Sequence, residues 1–147
     1  MAKPRKKAGG AASLQALLHE ASRRATADLE RVLDPEGVPL ESWRVLEVLA
    51  DESGRSMSAL ADAVSMKLPS LSKLVDRMVA NALVQRALDP EDNRRVLVYI
   101  SDVGLACVRR LESTVQRERQ SMESALGRDR GRELKQLLED FIRGRGS

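Results

Sequence analysis

The stretch MSALADAVSMKLPSLSKLVDRMVANALVQR, residues 57–86, contains two helical patterns separated by a short connection. Ser56 precedes the first pattern, and serine is a preferred residue for capping the start of a helix. Pro69 stands where the first turn of a second helix would leave its N–H group unpaired anyway. The stretch therefore predicts a short helix, a tight turn and a second helix over about 69–81.

The second helix has a narrow apolar stripe. At 100° per residue, one arc of roughly 100° holds the apolar set Leu71, Leu74, Val75, Met78 and Ala82. The opposite arc is mostly polar and carries Pro69, Ser72, Lys73, Asp76, Arg77 and Ala80. This leaves most of the helix surface free, which is typical of a helix-turn-helix.

In a helix-turn-helix, the second helix enters the major groove of DNA and its early residues meet base edges. Ser70, Ser72 and Lys73 lie in that early part, and hydroxyl and ammonium groups can hydrogen-bond to bases. Arg77 follows one turn later and is suited to a phosphate. The alternative is an ordinary solvated helix face, and the helix by itself does not decide between the two.

A predicted hairpin follows, with LVQRAL and VLVYI as its strands and DPEDNRR, residues 89–95, as its loop. Directly after a helix-turn-helix, such a hairpin is a wing that can carry Arg94 and Arg95 to phosphates or the narrow minor groove. Asp92 is spaced to hold Arg94 by a charge-assisted hydrogen bond. The alternative is a surface ion pair worth at most about 1 kcal/mol. For Arg95, both a phosphate contact and simple exposure to solvent stay open.

Long helical patterns flank this middle region. One begins at Leu14 and stops at DPEGVP, residues 34–39, and another begins after Ser101 and runs to a break at Gly127 before a last helix. Amphipathic helices of this length are more than one small core can cover, so we expect a homodimer in which they pack against a second copy.

The composition supports a mainly helical chain. Its 147 residues suit one domain, and aromatic residues make up only 2% of them, so the core must be aliphatic. Residues 1–12 hold four basic side chains and no acid, leaving 21 basic against 22 acidic residues in the remainder. This basic arm is expected to be flexible, and it either contacts DNA or is merely solvated.

Several other classes of protein are disfavoured. One histidine and one cysteine argue against a zinc site or a Cys–His nucleophile, and neither common phosphate-binding loop is present. We therefore expect no enzyme, no cofactor and no metal. The sequence has no apolar run of membrane length and no secretory signal, so we expect a cytoplasmic protein without a membrane partner. Cys107 is expected to be a small buried hydrophobe, with a redox role left open.

Residues 40–104 resemble the MarR family of bacterial winged-helix regulators. The matching pieces are LESWRVLEVLA, then the stretch 57–86, then DPEDNRRVLVYISDVG. The acidic-x-Arg signature of the family's wing is matched by Asp92 and Arg94, and its capped turn is matched by Ser101 and Gly104. One departure is an alanine at 82, where the family usually has glycine; we expect Asn81 to take the left-handed conformation instead.

The resemblance implies a mainly α chain with a small two- to three-stranded β wing, and it divides the chain by function. Residues 13–34 and 101–147 would form dimerisation helices, and 40–100 the winged helix-turn-helix that binds DNA. The family's homodimers bind a pseudo-palindromic operator and usually repress neighbouring genes.

In many relatives a small molecule, often an aromatic acid, binds between the two regions and releases the DNA. For this chain we consider an aromatic acid or its thioester. His19 and Arg23 share a helix face, and with Trp43 they would suit an aromatic carboxylate. The alternative is a core Trp43 with the other two solvated. A different class of function also stays open: a winged helix that serves protein–protein contact without binding an operator.

Overall fold

The computed structural model describes residues 12–146. Over that range the elements are α1 Leu14–Leu33, α2 Leu40–Leu49, α3 Met57–Val64, α4 Leu68–Ala80, β1 Val84–Leu88, β2 Val96–Ile100, α5 Asp102–Ser124 and α6 Arg128–Arg145. The prediction of a mainly α chain with a small β wing is confirmed. The predicted basic arm, residues 1–12, lies outside the described residues except for its last position.

Serine side chains cap α3, the first helix of the helix-turn-helix, and α5, the helix that follows the wing. The hydroxyl oxygen of Ser56 accepts the N–H of Ala59 at 3.2 Å where α3 begins. That of Ser101 accepts the N–H of Gly104 at 3.0 Å where α5 begins. Both predicted caps are confirmed, and each satisfies an N–H group that the first turn of a helix leaves without a partner.

The turn between α3 and α4 is a left-handed helix cap. Ser65 has φ +54°, and the N–H of Met66 donates to the carbonyl of Ala61 at 3.0 Å. This is the Schellman arrangement, which usually has glycine at the left-handed residue. The chain enters α4 at Leu68, with Pro69 in the first turn. The connection is thus short and held by backbone bonds.

The same arrangement ends α4, and here one prediction is wrong. Ala82 takes the left-handed conformation, with φ +60°, whereas Asn81 has φ −89° and ψ 9°. The N–H of Leu83 donates to the carbonyl of Met78 at 2.9 Å, and this bond requires the left-handed residue to lie one position beyond the helix cap. Ala82, expected on the apolar stripe of α4, therefore lies outside the helix with its side chain exposed.

The hairpin pairs β1 and β2 as antiparallel strands, with Val84 opposite Ile100. Arg55, just before α3, adds a single bridging residue. Its N–H donates to the carbonyl of Val98 at 3.0 Å, and its carbonyl accepts the N–H of Val98 at 2.8 Å. The wing is therefore anchored to the helix-turn-helix by backbone bonds, and the predicted two to three strands agree with this sheet.

One aliphatic cluster unites α1 to α5 with both strands. Trp43 of α2 belongs to it and is 1% exposed. Leu33 of α1 and Val115 of α5 are equally inaccessible, so these two outer helices share one core with the middle region. Cys107 is buried in the same cluster, as expected of a small hydrophobe.

The outer helices nevertheless expose large apolar side chains. Leu14 and Leu17 of α1 are more than half exposed, and so are Leu137 and Ile142 of α6, with Phe141 beside them at 42%. Exposed apolar residues that recur along two helices mark a surface for another protein chain. This agrees with the expectation that these faces pack in a dimer.

The left-handed Ala82 leads to a stability prediction. A side chain with a Cβ costs roughly 1–2 kcal/mol in this conformation, and glycine avoids that cost. We expect Ala82→Gly to increase the free energy of unfolding by about 0.5–1 kcal/mol, measured by urea denaturation, after allowance for the greater freedom of glycine in the unfolded chain.

A matched control for that variant is Ala80→Gly, in the last turn of α4. There the backbone is helical, so glycine should lower the free energy of unfolding by up to about 1 kcal/mol. A loss of stability in both variants would contradict the assignment of strain to Ala82.

Candidate nucleic-acid interface

The exposed face of α4 carries the side chains that the sequence assigned to DNA. The helix buries Leu71, Leu74, Val75 and Met78. Of the candidate residues, Ser70, Lys73 and Arg77 are exposed and Ser72 is half-buried. Lys73 and Arg77 are four residues apart and so lie one above the other on the same helix face. The four residues thus share one helix and point away from the core stripe.

The N-terminus of α4 is open to an anion. Within residues 12–146 no side chain caps its first turn. The first bond at this end runs from the N–H of Leu71 to the carbonyl of Lys67 at 3.0 Å, and Pro69 has no N–H. An uncapped helix N-terminus beside a lysine favours a negatively charged group such as a phosphate.

The loop of the wing is a series of tight turns. The N–H of Asp89 donates to the carbonyl of Arg95 at 2.9 Å, and the N–H of Arg95 donates to the carbonyl of Asp92 at 2.9 Å. The carboxylate of Asp89 also accepts the N–H of Glu91 at 2.9 Å. These bonds give the tip of the wing a defined shape.

Asp92 holds Arg94 at the wing tip. One carboxylate oxygen, Oδ1, accepts both the backbone N–H and the Nε–H of Arg94, each at 3.1 Å. The hydrogen bond from the Arg94 side chain lowers the pKa of Asp92, and the backbone N–H of Arg94 and the charge of Arg95 lower it further. The Arg94 side chain stays 91% exposed. The guanidinium is therefore oriented without being buried.

Arg95, which the sequence left open, borders a groove between the wing and residues 53–56. Its side chain is exposed, and it forms no ion pair with an acid in the described part of the chain. Arg55 lies on the other side of the groove and is paired with Asp51 at 2.7 Å. Two guanidinium groups thus border one groove beside the wing.

Arg86 and Asp76 form a further ion pair that was not predicted from the sequence. Nη2 of Arg86 on β1 lies 2.7 Å from Oδ1 of Asp76 on the exposed face of α4. The two residues are ten positions apart across a turn, and no short-range spacing rule brings them together. The pair links β1 to α4 and neutralises the charge of an acid on the exposed face of α4.

The three candidate effector residues do not form one site. His19 and Arg23 border the same depression on α1. Arg23 donates to Glu20 through Nη2 at 2.7 Å and Nε at 2.9 Å, and together with Arg24 it lowers the pKa of Glu20 to about 2. Trp43 does not border that depression and is buried in the core. Trp43 is therefore packed as a core residue, which is the alternative that the sequence left open.

The depression on α1 continues as a groove between α1 and α2. Thr26 and Glu30 border both the depression and the next part of the groove. The groove then runs along α2 past Arg44 and Glu47 to the end of α3. Ser22 of α1 borders this last part. We call this the α1–α2 groove. It lies where an outer helix meets the helix-turn-helix.

Residues 12–146 contain neither a group of side chains suited to a metal ion nor a helix that could cross a membrane. No three His, Cys, Asp or Glu side chains are grouped so that they could hold a metal ion. No helix in that range is both long enough and apolar enough to cross a membrane.

This chain is similar to known transcriptional regulators. Residues 36–95, which hold the helix-turn-helix, β1 and the wing loop, match the model of the MarR family. The HTH-type transcriptional repressor IacR of Pseudomonas putida is 31% identical over 116 residues, which are 79% of this chain and 70% of that one.

Solved structures share the fold. The complex of S. aureus MepR with DNA has a TM-score of 0.80 at 19% identity and covers 91% of this chain and 99% of that one. BpsR of Bordetella bronchiseptica, whose DNA binding is regulated by 6-hydroxynicotinic acid, has a TM-score of 0.80 at 22% identity and covers 90% and 97% of the two chains.

The Arg86–Asp76 pair leads to a prediction for this surface. Arg86→Ala would leave the Asp76 carboxylate unpaired on the α4 face, so we expect affinity for duplex DNA to fall roughly fivefold at physiological salt. Removing both charges with Arg86→Ala and Asp76→Ala should recover most of that loss in a fluorescence-anisotropy titration. Equal affinities of the single and double variants would mean that Asp76 does not face the DNA.

Proposed function

The chain belongs to the MarR family of transcriptional regulators, and we propose that it binds a pseudo-palindromic operator as a homodimer. It is a DNA-binding regulator and not an enzyme. Operator binding puts it in the bacterial cytoplasm, where the chromosome lies. The observation that carries the proposal is the polar face of α4 followed by a wing whose arginine is held out by an aspartate.

Dimerisation occupies the outer helices. MarR proteins are dimers, and the exposed apolar residues of α1 and α6 supply a surface that a second copy can cover. Residues 13–34 and 101–147 thus serve dimerisation, and 40–100 serve DNA binding. Two copies of α4 then enter successive major grooves about one helical turn apart.

Reading of the operator falls to α4. Ser70, Ser72 and Lys73 lie in its first two turns, where side chains reach base edges in the major groove. Arg77 lies further along the same face and binds a phosphate. The uncapped N-terminus of α4 adds backbone N–H groups for a second phosphate. Base contacts and phosphate contacts thus come from neighbouring turns of one helix.

The wing adds a contact outside the major groove. Arg94 enters the minor groove or binds the DNA backbone, and Asp92 determines the direction of its guanidinium. Arg95 borders the neighbouring groove with Arg55 and is placed to share a phosphate contact. Wing contacts of this kind add affinity and fix the orientation of the protein on the duplex.

A small molecule is also proposed to release the protein from its operator. We infer that the protein is a repressor and that an aromatic acid or its thioester binds in the α1–α2 groove and weakens DNA binding. The regulation of BpsR by 6-hydroxynicotinic acid is an example in a protein of the same fold. His19 and Arg23 border one end of the groove, and Trp43 lies on the buried face of α2 in the core. Binding should therefore change the fluorescence of the chain's one tryptophan. No feature of the described surface favours the alternative of a protein–protein module without an operator.

The wing assignment is tested with Arg94→Ala. We expect at least about a tenfold loss of operator affinity, with the dimer intact by size-exclusion chromatography. Arg31→Ala is the matched control, because it removes the same charge from an exposed pair with Asp28 on α1. Asp92→Ala should lower affinity in the same direction as Arg94→Ala. An Arg94 variant that binds like the control at physiological salt would rule out the wing contact.

The major-groove assignment is tested with Lys73→Ala. If Lys73 meets a base, the ratio of operator to random-duplex affinity should fall about fivefold or more, because a base contact contributes to discrimination. Arg77→Ala should instead weaken both affinities and make the dependence on salt concentration less steep. Uniform weakening by Lys73→Ala would reassign that lysine to a phosphate.

A further inference from the structure

An ion pair joins the helix-turn-helix to an outer helix. Arg119 of α5 donates from Nη1 and Nη2 to the two carboxylate oxygens of Glu47 on α2, both at 2.6 Å. The side chains are about one-third exposed, at 37% and 28%. This is the two-bond geometry in which a guanidinium recognises a carboxylate. Arg119 is thus already organised to bind a carboxylate, and a carboxylate of the same chain occupies it.

A buried donor lies one helical turn away. Nε1 of Trp43 is buried, and no acceptor for it exists among residues 12–146. Trp43 and Glu47 are four residues apart on α2, so their side chains are neighbours on one face of the helix. A buried N–H without an acceptor is unfavourable, and an oxygen of a bound molecule could satisfy it.

Glu47 has a second cation within reach. Arg44 precedes it by three residues on α2, is exposed, and borders the same part of the α1–α2 groove. No acid in the described range pairs with Arg44. If Glu47 left Arg119, it could form an i,i+3 pair with Arg44 instead of standing alone as a charge.

We propose that Arg119 and the indole N–H of Trp43 bind the carboxylate of the effector, and that Glu47 is an internal competitor which the effector displaces toward Arg44. The inference rests on the proposed release by an aromatic acid. The exchange replaces one carboxylate by another at Arg119, so the charge at this guanidinium stays balanced.

The exchange also supplies a mechanism of release. The Glu47–Arg119 pair is a direct side-chain bond between α2, which packs on α3 and α4, and the outer helix α5. When the effector takes Arg119, α2 is no longer tied to α5 through that pair. The helix-turn-helix of each copy can then shift relative to the dimer helices, which changes the spacing of the two α4 helices that the operator requires.

The experiment uses 6-hydroxynicotinate and 4-hydroxyphenylacetate, with the uncharged amide of each as a control. Binding is followed by tryptophan fluorescence, and release is followed with labelled operator. In Glu47→Gln the competitor is removed, so both acids should bind roughly fivefold more tightly than in the unaltered protein, whereas the amides should not change. In Arg119→Gln, acid binding should fall at least about tenfold. Arg119→Lys, which keeps the charge but loses the two-bond geometry, serves if the glutamine variant does not fold.

Two further variants complete the design. Arg44→Gln should weaken acid binding by removing the second partner of Glu47, and it should have no effect when Glu47 is already glutamine. Asp140→Asn is the matched control, since it breaks an equally short surface pair, with Arg143 on α6. It should leave acid binding unchanged.

The outcomes separate the two proposals. Acids that release the unaltered protein and Glu47→Gln at equal concentrations would overturn the competitor role and leave effector control standing. Acids that act on Glu47→Gln but not on the unaltered protein would support the competitor role strongly. Acids without effect on either protein would overturn the aromatic-acid effector, and this inference with it, while operator binding would be unaffected.

Discussion

Ser101 joins the three parts of the DNA-facing region. Its hydroxyl donates to the carbonyl of Ala82 and accepts the N–H of Gly104 at 3.0 Å, while its N–H donates to the carbonyl of Leu83 at 3.1 Å. A Cβ at Gly104 would collide with the carbonyl of Leu83, so this close approach requires glycine. The end of α4, the close of the hairpin and the start of α5 are therefore determined together.

Two acids near the DNA-facing surface, Asp92 and Asp76, share one arrangement. Asp92 holds Arg94, and Asp76 is neutralised by Arg86. A carboxylate near a polyanion is unfavourable unless a cation accompanies it, so each of these acids acts through its arginine. One pair orients a guanidinium at the wing tip, and the other fixes the hairpin against α4. In both pairs the carboxylate is neutralised by an arginine and helps to position it.

The helix α2 connects this surface to the remainder of the protein. It packs on α3 and α4 within the common core, and its other side borders the α1–α2 groove. Through Glu47 it is also bonded to α5. A molecule bound in the groove would therefore contact a helix that packs both on the helix-turn-helix and on α5. An effector bound in this groove, as proposed, would act on a helix that packs directly on the helix-turn-helix, so its coupling to DNA would need no long pathway.

Local rules determined the order of the helices, the caps at Ser56 and Ser101, the hairpin and the Asp92–Arg94 contact, because each depends on residues a few positions apart. At the end of α4 the left-handed residue is Ala82 rather than Asn81. This depended on the hydrogen bond from the N–H of Leu83 to the carbonyl of Met78. Only the packing of the elements decided the contacts between residues that are farther apart in the sequence, Asp76–Arg86 and Glu47–Arg119. It also decided that Trp43 is buried apart from His19 and Arg23. Sequence spacing describes one element at a time, whereas tertiary structure alone brings the faces of different elements together.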